Sequence, residues 1–219
     1  MKAVWVWLRQ LASLLANRPA TRSTLYSFWR QPGDGNRPKD YLAAGNERSA
    51  FLVGLVHRRV KTGAAILEIG CNCGRNLEAL RKAGYENLAG VELSADAVGV
   101  LIDAYPILAR KAMIWAAPIE EVIRDFGDGQ FELVFTMATL QHLHPRSEWV
   151  FREIARIARQ VITIEDETSR SWRSVPRDYG KVFERLGMRW VAARSCAFVP
   201  GLGPRFVARV YRGAEWEQN

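Results

Sequence analysis

The stretch Ile66-Leu67-Glu68-Ile69-Gly70-Cys71-Asn72-Cys73-Gly74-Arg75-Asn76 constrains this chain more than any other. Apolar residues around one acid predict a buried strand. Two glycines four apart follow, and a run of helical character opens at residues 76–81. A strand, a Gly-containing turn and a helix N-terminus together let backbone N–H groups approach a nucleotide-like ligand. A second acid, Glu92, closes the next strand-like run at residues 88–91. It falls close to the roughly twenty residues downstream at which a ribose-binding carboxylate is expected. Glycine spacing alone says little; glycines with an acid at each of two strand ends say much more.

Either side of this stretch the pattern alternates. Strands are expected at residues 64–69, 88–91, 112–115, 131–136 and 161–164, with helices at 76–83, 95–104, 119–126, 147–159 and 177–186 between and after them. Pro118 is well placed to start one helix, and Pro106 closes another. Such alternation predicts a doubly wound α/β domain, a parallel sheet with helices on both faces. Two last strands, 189–193 and 206–211, have only a Pro/Gly turn between them and add an antiparallel edge as a hairpin, making seven strands. Ahead of the sheet, residues 4–16 read as an amphipathic helix and 47–60 as another, with a loop over 31–39. Residues 1–61 are therefore expected as a helical cap or lid, and 62–219 as one structural unit.

Charge separates the same two parts. Residues 1–61 hold eleven Lys/Arg against three Asp/Glu, whereas the remainder holds twenty of each. Any anionic partner is expected at the N-terminal segment, although a solvated basic surface would look the same. No apolar run reaches the roughly 18 residues of a membrane span. The first residues have a faint leader-like look that Arg9 and Gln10 interrupt. Three cysteines, Cys71, Cys73 and Cys196, form no disulfide framework and suit a reducing cytoplasm. Cys71-x-Cys73 lacks a second ligand pair, so these residues are read as small fillers of the turn, and no metal is expected.

With these residues in hand, the chain resembles a class I S-adenosylmethionine-dependent methyltransferase, a transferase with a seven-stranded Rossmann-like sheet and a reversed terminal hairpin. Leu67-Glu68-Ile69-Gly70-Cys71-Asn72-Cys73-Gly74 carries the resemblance, supported by Gly90-Val91-Glu92-Leu93-Ser94, Phe131-Glu132-Leu133-Val134-Phe135 and Leu140-Gln141-His142-Leu143. It is similar to bacterial methylases whose turn reads Gly-Cys-Asn-x-Gly-Arg-Asn-Leu, some of them associated with surface-sugar or nodulation-factor pathways. The resemblance implies a cofactor site of Gly70, Cys71, Asn72, Gly74 and Asn76 along the methionine and ribose. It implies Glu68 at the amino group, Glu92 with Leu93 and Ser94 at the ribose, and Arg48 at the carboxylate. Ala117, Pro118 and Ile119 would line the adenine, and Thr136 and Met137 the sulfur end. Where many relatives carry Asp beside the adenine, this chain has Ala116 and Ala117, so recognition there is left to backbone groups and apolar contact. A dinucleotide-binding domain would instead read G-x-G-x-x-G with no acid needed before the turn.

The acceptor is less defined. His142 and His144 are candidates for a general base, or for fixing the turn around Pro145. Tyr26 and Trp29 stand in an aromatic run suited to a lid. Glu165, at a strand end, and the segment 168–179, where arginines alternate with Trp172 and Tyr179, are candidates for substrate contact, Arg177 among them. Arginine and aromatics together suit an anionic, sugar or aromatic acceptor. A small-molecule acceptor is expected, with RNA as the alternative and a binding-only relative as a third reading. An Asn-Pro-Pro-Tyr-type tetrapeptide is lacking after the fourth strand, which reads Thr136-Met137-Ala138-Thr139.

Overall fold

The computed structural model describes residues 20–31, 33 and 36–213. The helix expected over residues 4–16 lies outside them. Seven strands form one sheet: β1 (Ile66–Ile69), β2 (Leu88–Glu92), β3 (Met113–Ala116), β4 (Phe131–Met137), β5 (Ala158–Asp166), β6 (Met188–Ser195) and β7 (Phe206–Gly213). Their order is β3-β2-β1-β4-β5-β7-β6. β1 to β5 are parallel, and β7 runs antiparallel between β5 and β6. This is the Rossmann-like methyltransferase arrangement with its reversed hairpin.

The helices are α1 (Arg22–Arg30), α2 (Pro38–Ala43), α3 (Glu47–His57), α4 (Arg75–Lys82), α5 (Ala95–Ala104), α6 (Pro106–Lys111), α7 (Ile119–Val122), α8 (Trp149–Ile157) and α9 (Tyr179–Arg185). The sheet is covered on both faces, which explains why its central strands read as continuous apolar runs. Ile66, Leu133, Phe135, Ile162 and Val210 join one apolar cluster with α3, α4 and α5. Leu67, Ile69, Val91, Val134, Val161 and Tyr211 join the other with α8 and α9. Neighbouring residues of one strand feed opposite clusters, as a period of two requires.

Three helices depart from the expectation, and each departure has a local cause. Thr21 caps α1, which was not expected, accepting from Thr24 N–H at 3.2 Å. Pro38 and Pro106 occupy the first turn of α2 and α6, where a missing N–H costs nothing. For α2, Asp40 completes the start by accepting from Arg37 N–H at 3.0 Å. β5 also runs two residues past its expected end. β7 pairs with Glu165 and Asp166 through Val207 and Phe206, so the acids lie inside a ladder rather than beyond it.

In this order β1 lies between β2 and β4, and the chain turns in opposite directions on either side of it. The crevice at the carboxyl ends of β1 and β4 is the topological switch point where open α/β sheets bind ligands. Among the described residues, no helix is long and apolar enough to cross a membrane.

Candidate active site

A cleft opens at that switch point. It is lined by the turn after β1, the end of β2, the loop before α7, the segment after β4, and residues of α1, α2 and α3. Glu68 stands at its floor, in β1 two residues before Gly70. It is 1% exposed. Its Oε1 accepts from Asn76 Nδ2–H at 2.8 Å, and the Asn76 carbonyl oxygen accepts from the Ser49 hydroxyl at 2.8 Å. The other oxygen, Oε2, is buried without a partner among the described residues. Burial, only partly opposed by the Asn76 hydrogen bond and Arg75, pushes the Glu68 pKa up to about 8.

The turn explains its glycines differently from the sequence expectation. Gly70 has φ +78°, and a Cβ there would come within 2.3 Å of Thr139 Oγ1. Gly74 has φ +74°, and its Cβ would strike Leu101 at 2.5 Å. Thus Gly74 lies under α5 and α6 packing, outside the cleft wall, and both glycines make room for this chain's own side chains. Asn72, at φ +47°, takes the left-handed conformation and braces it by accepting from Cys73 N–H at 2.7 Å. Cys71 fills the space beside Gly90, where a Cβ would stand 2.8 Å from its sulfur.

Glu92 is buried at the end of β2. Its Oε2 accepts from Asn72 N–H and its Oε1 from Ser94 N–H, both at 2.8 Å, and each oxygen keeps a lone pair for a further donor. Burial raises its pKa, against the pull of these backbone bonds. Ser94 caps α5 through Ala97 N–H and donates its hydroxyl to the Arg30 carbonyl at 2.9 Å, tying α1 to the cleft rim. Arg48 lines the cleft beside Arg75, and burial and that neighbouring guanidinium pull its pKa down. Arg75 itself donates to the Tyr41 carbonyl at 3.0 Å. Sequence reasoning assigned Arg75 no role, although its place at the helix start was visible.

Leu93, Ala117, Pro118, Ile119, Met137, Tyr26, Trp29 and His142 also line the cleft. The Tyr26 hydroxyl donates to Glu120, holding α1 over the site. Thr136 does not reach the cleft; it is fully buried and donates to Glu165 at 2.8 Å. Glu165 is likewise 0% exposed, and it gathers Thr139 N–H and Gln141 N–H as well. Its pKa is pushed up to about 7 by burial, against these bonds. Together they hold Ala138 at φ +55°, a strained conformation for a residue with a Cβ, on the cleft wall.

The acceptor candidates separate sharply. Tyr179 is 0% exposed and packs in the core against Phe151, so it is placed away from any ligand space. Arg177 is turned inward: it donates to the Leu140 and Leu143 carbonyls at 3.1 and 2.7 Å, pinning the segment that carries His142. His144 accepts from Arg146 N–H at 3.1 Å and caps a short 3₁₀ turn. Trp172 lies in a second cavity beside the cleft.

His142 has a defined tautomer. Gln141 Oε1 accepts from Asp166 N–H at 2.8 Å, so its Nε2 is a donor, and this group lies 3.2 Å from His142 Nε2. His142 Nδ1–H then donates to the Arg173 carbonyl at 2.7 Å. Burial lowers its pKa to about 4, and the ring is neutral, packed at a tilt with its centroid 4.4 Å from that of Trp29.

S-adenosylmethionine fits these residues. The unpaired Glu68 oxygen suits an ammonium, Arg48 and Arg75 a carboxylate, and Glu92 a pair of hydroxyls. Residues 67–161 match the family described as a methyltransferase domain. Among curated proteins no sequence matches this chain. Solved structures share the fold. A chain from the complex between the Haloferax volcanii Trm112 methyltransferase activator and a methyltransferase has a TM-score of 0.68 at 14% identity, covering 89% of this chain and 99% of its own. The Burkholderia thailandensis 1,6-didemethyltoxoflavin-N1-methyltransferase, solved with its substrate and S-adenosylhomocysteine, scores 0.65 at 15% identity, over 94% of this chain and 89% of its own. The Synechocystis magnesium protoporphyrin IX methyltransferase with bound S-adenosylmethionine scores 0.65 at 16% identity, over 87% and 96%. Residues 67–161 are thus similar to a methyltransferase domain, and the chain shares the fold of methyltransferases solved with S-adenosylmethionine or S-adenosylhomocysteine.

Proposed function

We propose that the protein transfers a methyl group to an O or N atom of a small-molecule acceptor, a sugar or specialised metabolite, in the cytoplasm. One observation carries this reading: a single cleft joins the unpaired Glu68 oxygen, two arginines and Glu92 to an aromatic roof of Tyr26, Trp29 and Tyr41. Bound there, S-adenosylmethionine supplies a methyl group activated on a sulfonium, whose bonding pair stays with sulfur as the acceptor's lone pair takes the carbon and its proton passes to solvent. Glu68, Arg48 and Arg75 would hold the amino-acid end and Glu92 the ribose. Leu93 and the segment 117–119 would enclose the adenine. Ala138 and Met137 line the same cleft.

His142 is poorly suited to act as a base. Protonating Nε2 would set it against the Gln141 N–H donor, in a buried place that already disfavours charge. The chain's contribution is then alignment of donor and acceptor, which can lower a barrier by about 7–11 kcal/mol without proton transfer by a side chain. Residues 20–61 act in this reading as a cap. Ala20 N–H bonds the Trp172 carbonyl at 2.7 Å, and Ser94 and Glu120 hold α1 from the other side.

The test is incubation of the full chain with methyl-labelled cofactor and fractionated cell extract. Label in small molecules supports the proposal, and label confined to RNA or protein overturns it. RNA is the alternative that the excess of eleven Lys/Arg over three Asp/Glu in residues 1–61 favours. A gel shift with total RNA that vanishes with modest salt would mark only phosphate attraction by that segment.

A further inference from the structure

Beside the cofactor cleft lies a second, open cavity of about 640 Å³, within the roughly 300–1,000 Å³ of small-molecule sites. Trp29, Tyr41 and His142 belong to the walls of both, so the two spaces meet at these three rings. The second cavity is polar, and among the described residues its charge is one-sided: Arg170, Arg173 and Arg205 line it against one acid, Asp166.

That acid is already engaged. Asp166 accepts from the backbone and hydroxyls of Thr168 and Ser169 and pairs with Arg205 at 3.2 Å. The remaining guanidinium groups are Arg170 and Arg173. Arg173 stands over the rings of Phe28 and Trp29, 5.3 and 5.8 Å from their centroids. Its backbone is fixed by the His142 ring, so its place in the cavity wall is set from the cleft side. At the same junction Trp29 Nε1 is buried with no acceptor among the described residues. A buried donor without an acceptor is unfavourable, and an oxygen on a ligand would satisfy it.

We propose that this second cavity is the acceptor's site, and that the acceptor is an anionic small molecule whose carboxylate or phosphate oxygens are held by Arg170, Arg173 and Trp29 Nε1–H. The inference rests on the methyl-transfer reading of the cleft and adds the class of acceptor. Planar guanidinium groups bond carboxylate and phosphate through paired N–H donors, which a neutral acceptor would leave unused.

The experiment uses the full chain, methyl-labelled cofactor and a small-molecule extract separated by anion exchange into retained and unretained pools, with RNA and protein assayed alongside. Label is expected in the retained pool. Arg170→Gln and Arg173→Gln are each expected to raise the amount of that pool needed for half-maximal labelling by about tenfold, the loss of one charge-assisted hydrogen bond. Their cofactor Kd, measured by calorimetry, is expected to match the parent. Phosphatase treatment of the pool distinguishes the two sources: lost labelling assigns a phosphate, and retained labelling a carboxylate. Label only in the unretained pool overturns the anionic acceptor and leaves small-molecule methyl transfer standing. Retained-pool labelling that neither substitution affects overturns the site. Label in RNA or protein, or cofactor binding with no label anywhere, overturns the methyl-transfer reading and this inference with it.

Discussion

Glu68 is a carboxyl that burial keeps protonated at neutral pH, with its pKa near 8. An arriving ammonium would draw that proton off. Cofactor affinity is therefore expected to rise with pH toward 8 and flatten above it, with about one proton released per cofactor bound at pH 7. Calorimetry in buffers of different protonation enthalpy measures this, and Glu68→Gln should abolish both the affinity gain and the proton release. The same shift has a stability sign. Because the folded pKa lies above the ordinary 4.5, the group's stabilising contribution is full below about pH 4.5 and is lost as pH rises through 8. Ligand-free Glu68→Gln should thus melt above the parent at pH 8. His142 runs the opposite way. Its folded pKa of about 4 lies below the ordinary 6.5, so its contribution is full above pH 6.5 and lost as pH falls through 4. His142→Gln is expected to keep turnover within about tenfold of the parent, the cost of one misplaced hydrogen-bonded ring. It should also leave the rate profile without a step near pH 6.5. A loss of two further orders of magnitude with cofactor affinity intact would restore the general-base role that the sequence suggested.

At the scale of elements, β5 supplies more than a strand. Glu165 reaches from it to gather Thr136, Thr139 and Gln141 and so folds the segment after β4 against the cleft. Glu165→Ala leaves three buried donors unsatisfied and is expected to lower the unfolding free energy by about 3 kcal/mol or more. A urea titration reads that loss. It should also weaken cofactor binding, since Ala138 is no longer held in its left-handed conformation. None of this could be read from position in the sequence. An acid after Ile164 looks like a solvated strand end until β7 pairs beside it. Arg177 and Tyr179 misled in the same way. Their spacing suits an exposed recognition loop, but the pull of two orphan carbonyls and an aromatic core turns both inward. Proline was ambiguous for a simpler reason: Pro38 and Pro106 can stop one helix or start the next, and only the following residues' packing decides.

On the scale of the whole molecule, a ligand that binds only the folded chain stabilises it by about 2.7 kcal/mol at a hundredfold excess over Kd. For a chain of 219 residues that corresponds to a rise in melting temperature of roughly 5–10 °C. S-adenosylmethionine is expected to produce this rise in a thermal shift assay and NAD to produce none, because the cleft offers carboxylates and arginines at amino-acid spacing rather than a third glycine for a pyrophosphate. The sequence by itself determined the donor half of this protein. Continuous apolar runs alternating with helical segments set the sheet, and Glu68, the turn and Glu92 are local features whose positions follow from strand ends. The proposed acceptor half was decided by tertiary structure. Trp29, the pair Gln141 and His142, and the segment from Asp166 to Arg173 lie far apart in the chain, and their meeting follows from how the cap and the loop after β5 close over one end of the sheet. Burial also assigned which charged groups face a ligand and which hold the backbone. Local sequence cannot encode that choice, since an arginine or a glutamate serves either purpose according to which carbonyls, amides and solvent surround it.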